Sequence, residues 1–230
     1  MDLEKPLKAL QRRSLETRAA DELRAAIISR SYAPGSRLTE MQLSELLGIS
    51  RGTVRQALQK LLTEGLVAQR PYAAWEVVGL NPQDAWELFT LRSALEGLAA
   101  ELVAEAIKKK TLSPKPLQAA FESLVRACKE GDLAKADEAD YAFHKQVVVS
   151  SNHGRLLIQY ERVDAQMRML IVAGNERPAA VTRLVAEHQP LLDALLSGKP
   201  RLAGPAFRAH VEKAGEAVIA RLSAPSTAAS

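Results

Sequence analysis

Within the run Ala139-Asp140-Tyr141-Ala142-Phe143-His144, a carboxylate and an imidazole stand four residues apart. On a helix both side chains leave the same face and can reach one point. Two further histidines, His188 and His210, fall on two later helical patterns, so three elements could bring one carboxylate oxygen and three imidazole nitrogens together. That donor set suits a borderline divalent ion such as zinc, nickel or manganese. Spacing alone leaves the ordinary alternative open, because any two helical residues four apart share a face and a lone histidine is commonly a satisfied polar residue. The fourth histidine, His153, lies in the turn Asn152-His153-Gly154 and reads as a polar turn residue. Arg92, placed on an inner helix face by its spacing from Leu88, Leu91 and Leu95, could clamp a carboxylate bidentately. A salt bridge to Glu96, one turn further on, is the competing use.

A second group lies near the N-terminus. Ser50, Arg51, Thr53, Arg55 and Gln56 open a helix whose apolar face is taken by Val54, Ala57, Leu58 and Leu61, which leaves the polar residues outward. Arginine can read guanine O6/N7 or clamp a phosphate, and the hydroxyls of Ser50 and Thr53 reach phosphates. Arg37, just upstream, would lie close to the same groove. A solvated helix face carrying two arginines is the alternative.

The elements that must position these residues follow from periodicity and breakers. Leu15, Ala19, Leu23 and Ile27 mark one amphipathic helix, stopped by Tyr32-Ala33-Pro34-Gly35. Thr39 with Gln42 forms a capping box for a second helix, expected to bury Met41, Leu43, Leu46 and Leu47 and to end at Gly48. Ser50 caps a third, with Gly65 as its stop. Leu66–Gln69 and Trp75–Val78 read as two short strands of a hairpin, against which Tyr72 and Trp75 are expected to pack. After Asn81-Pro82-Gln83-Asp84, a helix-starting signature, only helical segments remain, near 83–108, 115–130, 132–151, 155–173, 178–197 and 200–222. The expected organisation is mainly α: a winged helix-turn-helix of three helices plus a small hairpin over 1–80, an all-α bundle of about six helices over 81–222, and a disordered tail over 223–230.

Composition narrows the class. The 230 residues are 47% apolar and 25% charged, an ordinary globular balance that excludes wholesale disorder. Cys128 is the lone cysteine, so an intrachain disulfide and a cysteine-rich zinc module are both excluded. Neither a membrane-length apolar run nor a secretory leader is visible, and a soluble cytoplasmic protein is expected. Of the net charge of +4, residues 1–80 hold twelve basic against nine acidic groups, so the excess is concentrated on the part that carries Arg37, Arg51 and Arg55.

The run APGSRLTEMQLSELLGISRGTVRQALQKLLTEGLV resembles the winged helix-turn-helix of GntR-type bacterial transcription regulators, over roughly residues 15–78. The resemblance implies that Arg37, Arg51, Thr53 and Arg55 contact DNA. The family's wing usually carries a glycine-containing tip, whereas this chain has Arg70-Pro71-Tyr72-Ala73-Ala74-Trp75. Backbone cannot approach a minor groove as closely without that glycine, and Arg70 would act through charge. Residues 84–220 resemble the all-helical effector domain of the FadR subfamily, through Leu91-Arg92-x-x-Leu95-Glu96-x-x-Ala99, Asp140-x-x-Phe143-His144, His188 and His210. Many members of that subfamily hold a metal with such a set. Pro190 and Gly204-Pro205 interrupt helices that the subfamily leaves unbroken, with the potential to reshape the cavity or displace a ligand.

The resemblance implies a regulator, a repressor in the commoner case, that binds double-stranded palindromic operator DNA as a homodimer. A small organic or sugar acid at the metal, with Arg92 as a second clamp, would control its operator affinity. A coupling of about 1 to 3 kcal/mol would change that affinity roughly 5- to 150-fold. Two other classes share the same residues: a metal-dependent enzyme in which the ion activates water, and a sensor for the metal itself.

Overall fold

The computed structural model describes residues 14–69, 75–174 and 178–224. The chain divides into two compact units, Met1–Val78 and Gly79–Ser230.

The first unit contains α1 (Leu15–Ile28), β1 (Arg37–Leu38), α2 (Glu40–Leu47), α3 (Arg51–Thr63), β2 (Val67–Gln69) and β3 (Trp75–Val77). Apolar spacing seats α1 on α3, with Ala19, Leu23 and Ile27 against Val54, Ala57, Leu58 and Leu61, all buried. Thr39 Oγ1 accepts the Gln42 N–H at the start of α2, and Gly48 ends it in the left-handed conformation, φ 64°. That conformation turns the chain sharply enough for Ser50 to cap α3 two residues later, its Oγ accepting from the Thr53 N–H. The expected burial along α2 is corrected in part. Leu43 is buried, but Met41 and Leu46 are 51% and 75% exposed, because a helix of two turns has only a narrow face to offer the core. Leu15 is exposed as well.

The expected hairpin has a third strand. Residues Arg37 and Leu38 pair antiparallel with Trp75 and Glu76, which gives the sheet order β1-β3-β2. Two residues carry no period-2 pattern, so this strand had no readable signal. Trp75 packs inward as expected, with its Nε1 3.4 Å from Glu40 Oε1. The expectations for Arg70, Tyr72 and the wing tip lie outside the described residues.

The second unit is helical among its described residues: α4 (Pro82–Lys108), α5 (Lys115–Glu130), α6 (Leu133–Ser150), α7 (Gly154–Gly174), α8 (Pro178–Leu196) and α9 (Pro200–Ser223). Asn81 and Asp84 close a reciprocal capping box at the head of α4, with Pro82 in its first turn. α4 and α9 form the most extensive helix pair, and their approach depends on glycine: a Cβ on Gly215 would lie 2.8 Å from Phe89 Cβ. Phe143, Phe207, Leu117, Leu124 and Leu195 fill the centre of the main core. A smaller cluster, including Leu88, Phe89, Met167 and Val211, adjoins it. α8 continues through Pro190 to Leu196, and α9 through Pro205. Each proline removes one backbone donor, yet His188 and His210 still meet.

Candidate metal centre and DNA-facing helix

α6, α8 and α9 bring the bundle residues together. α6 holds Asp140 and His144 on one face, as their spacing requires; α8 supplies His188 and α9 His210. The coordinating nitrogens of the three imidazoles lie within 4.8 Å of one another. His144 Nε2 is 3.0 Å from His188 Nε2. Asp140 Oδ1 is 2.5 Å from His188 Nε2 and 3.7 Å from His144 Nε2, yet it receives no aligned hydrogen bond.

The outer nitrogens fix which atoms face inward. His144 Nδ1 lies 2.6 Å from Glu96 Oε2 and His188 Nδ1 2.7 Å from the Leu184 carbonyl. Both partners are acceptors, so both Nδ1 atoms carry protons, and each neutral ring turns its Nε2 lone pair toward the other and toward Asp140. Lone pairs converging in a buried place need a cation between them, either a proton or a metal ion. One carboxylate oxygen and three imidazoles, with two of the rings oriented from behind by a carboxylate and a carbonyl, fit a divalent transition ion.

The electrostatics agree. Burial holds His144 below its ordinary value, and burial together with His144 and His188 pushes His210 down to about 3, so both stay neutral and able to coordinate. Burial opposes charge on His188, but Asp140 outweighs it and raises this one imidazole, as expected for a cluster that accommodates a single positive charge. Asp140 is held below the usual carboxylate range: burial works the other way, and His188 overcomes it.

Arg92 makes the expected salt bridge to Glu96 and also lines the cavity beside the histidines. It is buried, its Nε lies 2.5 Å from Glu96 Oε1, and it lines a cavity of about 430 Å³ that also exposes Asp140, His144, His188 and His210. Its placement by Leu91 is corrected: Leu91 is exposed, and Leu88 with Phe89 marks the inner face. Sequence reasoning missed the central role of Glu96. It is fully buried and accepts from Arg92, from His144 and, at 3.0 Å, from the Tyr160 hydroxyl. Burial alone would raise its pKa, but Arg92 and His144 hold it at about 2. The missed signal was a carboxylate one turn from Arg92 on a face that is otherwise apolar. His153 stands apart, its Nδ1 accepting the Leu156 N–H at the head of α7.

In the first unit Arg37, Ser50, Arg51, Arg55 and Gln56 are exposed and Thr53 is half-buried, the outward set expected at the start of α3. Arg55 is already engaged, its Nε and Nη2 donating to the two oxygens of Glu40 at 2.8 and 2.7 Å. Arg55 and then burial and Trp75 act on Glu40, with the net effect of lowering its pKa.

A three-helix unit with a small sheet and an exposed, arginine-bearing second helix of a helix-turn-helix, followed in the chain by a helical bundle with a buried His/Asp cavity, is the arrangement of a DNA-binding regulator with a separate C-terminal domain. Residues 15–77 match the family "Bacterial regulatory proteins, gntR family", and residues 87–213 match "FCD domain". The chain is 30% identical over 210 residues to the "Probable D-xylose utilization operon transcriptional repressor" of Paenarthrobacter nicotinovorans, covering 89% of this chain and 91% of that one. It is 26% identical over 195 residues to the "Gluconate operon transcriptional repressor" of Bacillus licheniformis, covering 83% and 79%. A solved GntR transcriptional regulator of Rhodococcus sp. RHA1 superposes with TM-score 0.77 at 25% identity, covering 89% and 97%. The fold also matches McbR/YncC of E. coli, with TM-score 0.76 at 23% identity, covering 91% and 99%. The chain belongs to the GntR family of DNA-binding transcription regulators, with a C-terminal FCD domain, and its family and relatives are regulators rather than enzymes. Among the described residues no helix is long and apolar enough to cross a membrane.

Proposed function

We propose that this protein is a repressor that binds palindromic operator DNA as a homodimer, and that a small organic or sugar acid, bound at a divalent metal in the bundle, releases it. The observation that carries the reading is the convergence of inward lone pairs from Asp140, His144 and His188, with His210, at a cavity lined by buried Arg92. Those four residues would hold the ion, which supplies open coordination positions for a carboxylate oxygen. Glu96 and the Leu184 carbonyl orient the rings, and Arg92 presents a cation beside them. The wall residues Phe89 and Ile171 exclude water from the acid's carbon skeleton. Relatives named for xylose and gluconate operons support a sugar or sugar-acid signal.

On DNA, Arg51 and Gln56 would read bases from the start of α3, while Ser50 and Thr53, at its positive end, would meet phosphates. Arg37 on β1 would add a backbone contact, and Arg70 a minor-groove charge. Two subunits would place two such helices in half-sites about one DNA turn apart.

The test is anisotropy titration of the full-length protein on an operator recovered by selection from random duplexes, at fixed salt, with and without metal and gluconate or xylonate. The reading expects a palindromic operator and an acid-dependent loss of affinity that disappears on metal removal. Affinity that is indifferent to acid and sensitive only to metal would favour a metal sensor instead.

A further inference from the structure

The first unit carries a depression of its own, bounded by the first turns of α2 and α3 and the end of β2. Arg51, Arg55 and Gln69 line it and are exposed. Glu40 lines it too, but both its oxygens accept from Arg55, at 2.8 and 2.7 Å, and two arginines against one carboxylate leave the lining net positive. Thr39 caps α2, and Trp75 is only 2% exposed, with its Nε1 3.4 Å from Glu40 Oε1. Among the described residues of the lining, Met41 is the one wholly apolar side chain, and it is 51% exposed.

The narrow buried face of α2 explains why Met41 is exposed, but not why it stands among charged and hydrogen-bonding groups. Leu46, on the same helix, is 75% exposed and does not line the depression. Met41 lies in the first turn of α2, beside the arginines that open α3. The major groove, which the start of α3 enters on the reading given above, offers hydrogen-bonding edges on every base pair and one apolar group, the 5-methyl of thymine. Arg51, Arg55 and Gln69 match the edges and the phosphates, and Met41 alone in this lining matches the methyl. Its unbranched thioether chain has three rotatable bonds and moulds itself to a small apolar partner. Contact with a methyl removes from water an apolar surface that the free protein leaves wet.

We propose that Met41 is a specificity-determining residue for operator DNA: its side chain packs on the 5-methyl group of one thymine in each half-site and so selects a T·A pair by apolar contact. This rests on the reading of α3 as the recognition helix and adds to it a base contact from α2. A cytosine at that position presents an amino group in place of the carbonyl and no methyl, and a uracil differs from thymine by the methyl alone.

Anisotropy titration of the full-length protein at fixed salt tests this on the selected operator, with thymines replaced by uracil one symmetric pair at a time. At one such pair the parent should lose about fourfold in affinity for each half-site changed, the worth of burying one methyl group. Met41→Ala should bind the thymine operator more weakly by a similar factor and make thymine and uracil equivalent at that pair. Met41→Leu should keep the preference and Met41→Gln, of similar length but polar, should abolish it, while Leu46→Ala should keep it in full. Absence of any thymine whose methyl matters, or a thymine preference that survives Met41→Ala, would overturn the proposal. Arg51→Ala, measured alongside, separates the two levels. If it weakens binding while Met41→Ala leaves the thymine preference intact, only the Met41 contact falls; if it binds as tightly as the parent, the recognition-helix reading falls and the contact with it.

Discussion

Replacing Glu96 with glutamine changes one atom in the most enclosed polar group of the bundle. The carboxylate accepts from Arg92 Nε at 2.5 Å, from His144 Nδ1 at 2.6 Å and from the Tyr160 hydroxyl at 3.0 Å, with no exposure to solvent. An amide keeps one acceptor oxygen and turns an NH2 toward either Arg92 or His144, both of which are donors there. One donor loses its partner in either orientation, and the Arg92 cation is left buried without its counter-charge. Breaking a buried pair from one side costs about 3 to 5 kcal/mol. At roughly 2 to 4 °C per kcal/mol for a chain of this size, the melting temperature should fall by about 6 to 20 °C. His144 also loses the group that orients its ring, so metal affinity should drop about 10- to 100-fold. Calorimetry of the metal-free variant and a competition titration with a chromogenic chelator measure the two effects separately. The double variant Arg92→Met/Glu96→Leu, which removes both charges, should recover much of the stability without recovering metal affinity. A single Glu96→Gln variant that melts within about 2 °C of the parent and binds metal equally well would refute the assignment of Glu96 as the orienting group, since that shift corresponds to less than about 1 kcal/mol.

Three other perturbations reach different parts of the molecule. Arg51→Ala should weaken operator binding by about 1 to 3 kcal/mol if it makes a bidentate base contact, with an unchanged circular dichroism spectrum; equal affinity at fixed salt would remove it from the interface. Glu40→Gln removes one end of the two-bond clamp on Arg55 and should alter operator selectivity more than overall stability, read by competition between the selected operator and single-base variants; an identical base preference would show that the clamp does not position Arg55. Gly215→Ala sets a methyl 2.8 Å from Phe89 Cβ, so overpacking of about 1 to 3 kcal/mol should outweigh the helix-propensity gain of roughly 1 kcal/mol, and an unchanged or higher melting temperature would contradict the close α4–α9 contact. Acid should act through Glu96 as well. Its folded-state pKa of about 2 lies below the ordinary value of 4.5, so its contribution is complete above about pH 4.5 and is lost as pH falls toward 2. Urea titrations across that range should show the parent losing stability more steeply than Glu96→Gln, and parallel slopes would contradict the pairing.

Much of the fold was legible because its signals are local. Asn81-Pro82 with Asp84 marked the start of α4, and Gly48 with Ser50 marked the tight passage between α2 and α3. The i, i+4 pair Asp140 and His144 likewise needs only a helix to share a face. What stayed hidden depends on partners distant in the chain. β1 is two residues long and exists only because β3 pairs with it. Met41 and Leu46 are apolar by type, but the short α2 leaves them on its outer side. Glu96 looked like a possible salt-bridge partner for Arg92, and only the approach of α6 and α7 makes it the acceptor shared by Arg92, His144 and Tyr160.

The most direct test of the account is elemental analysis by mass spectrometry of the purified full-length protein after incubation with zinc, nickel or manganese and removal of the free ion. The account predicts about one tightly held divalent ion per chain in the parent and a loss of most of it in His144→Ala and His210→Ala, since a site of this kind depends on each of its few ligands. Metal content near zero in the parent for all three ions, or content unchanged in both variants, would contradict it.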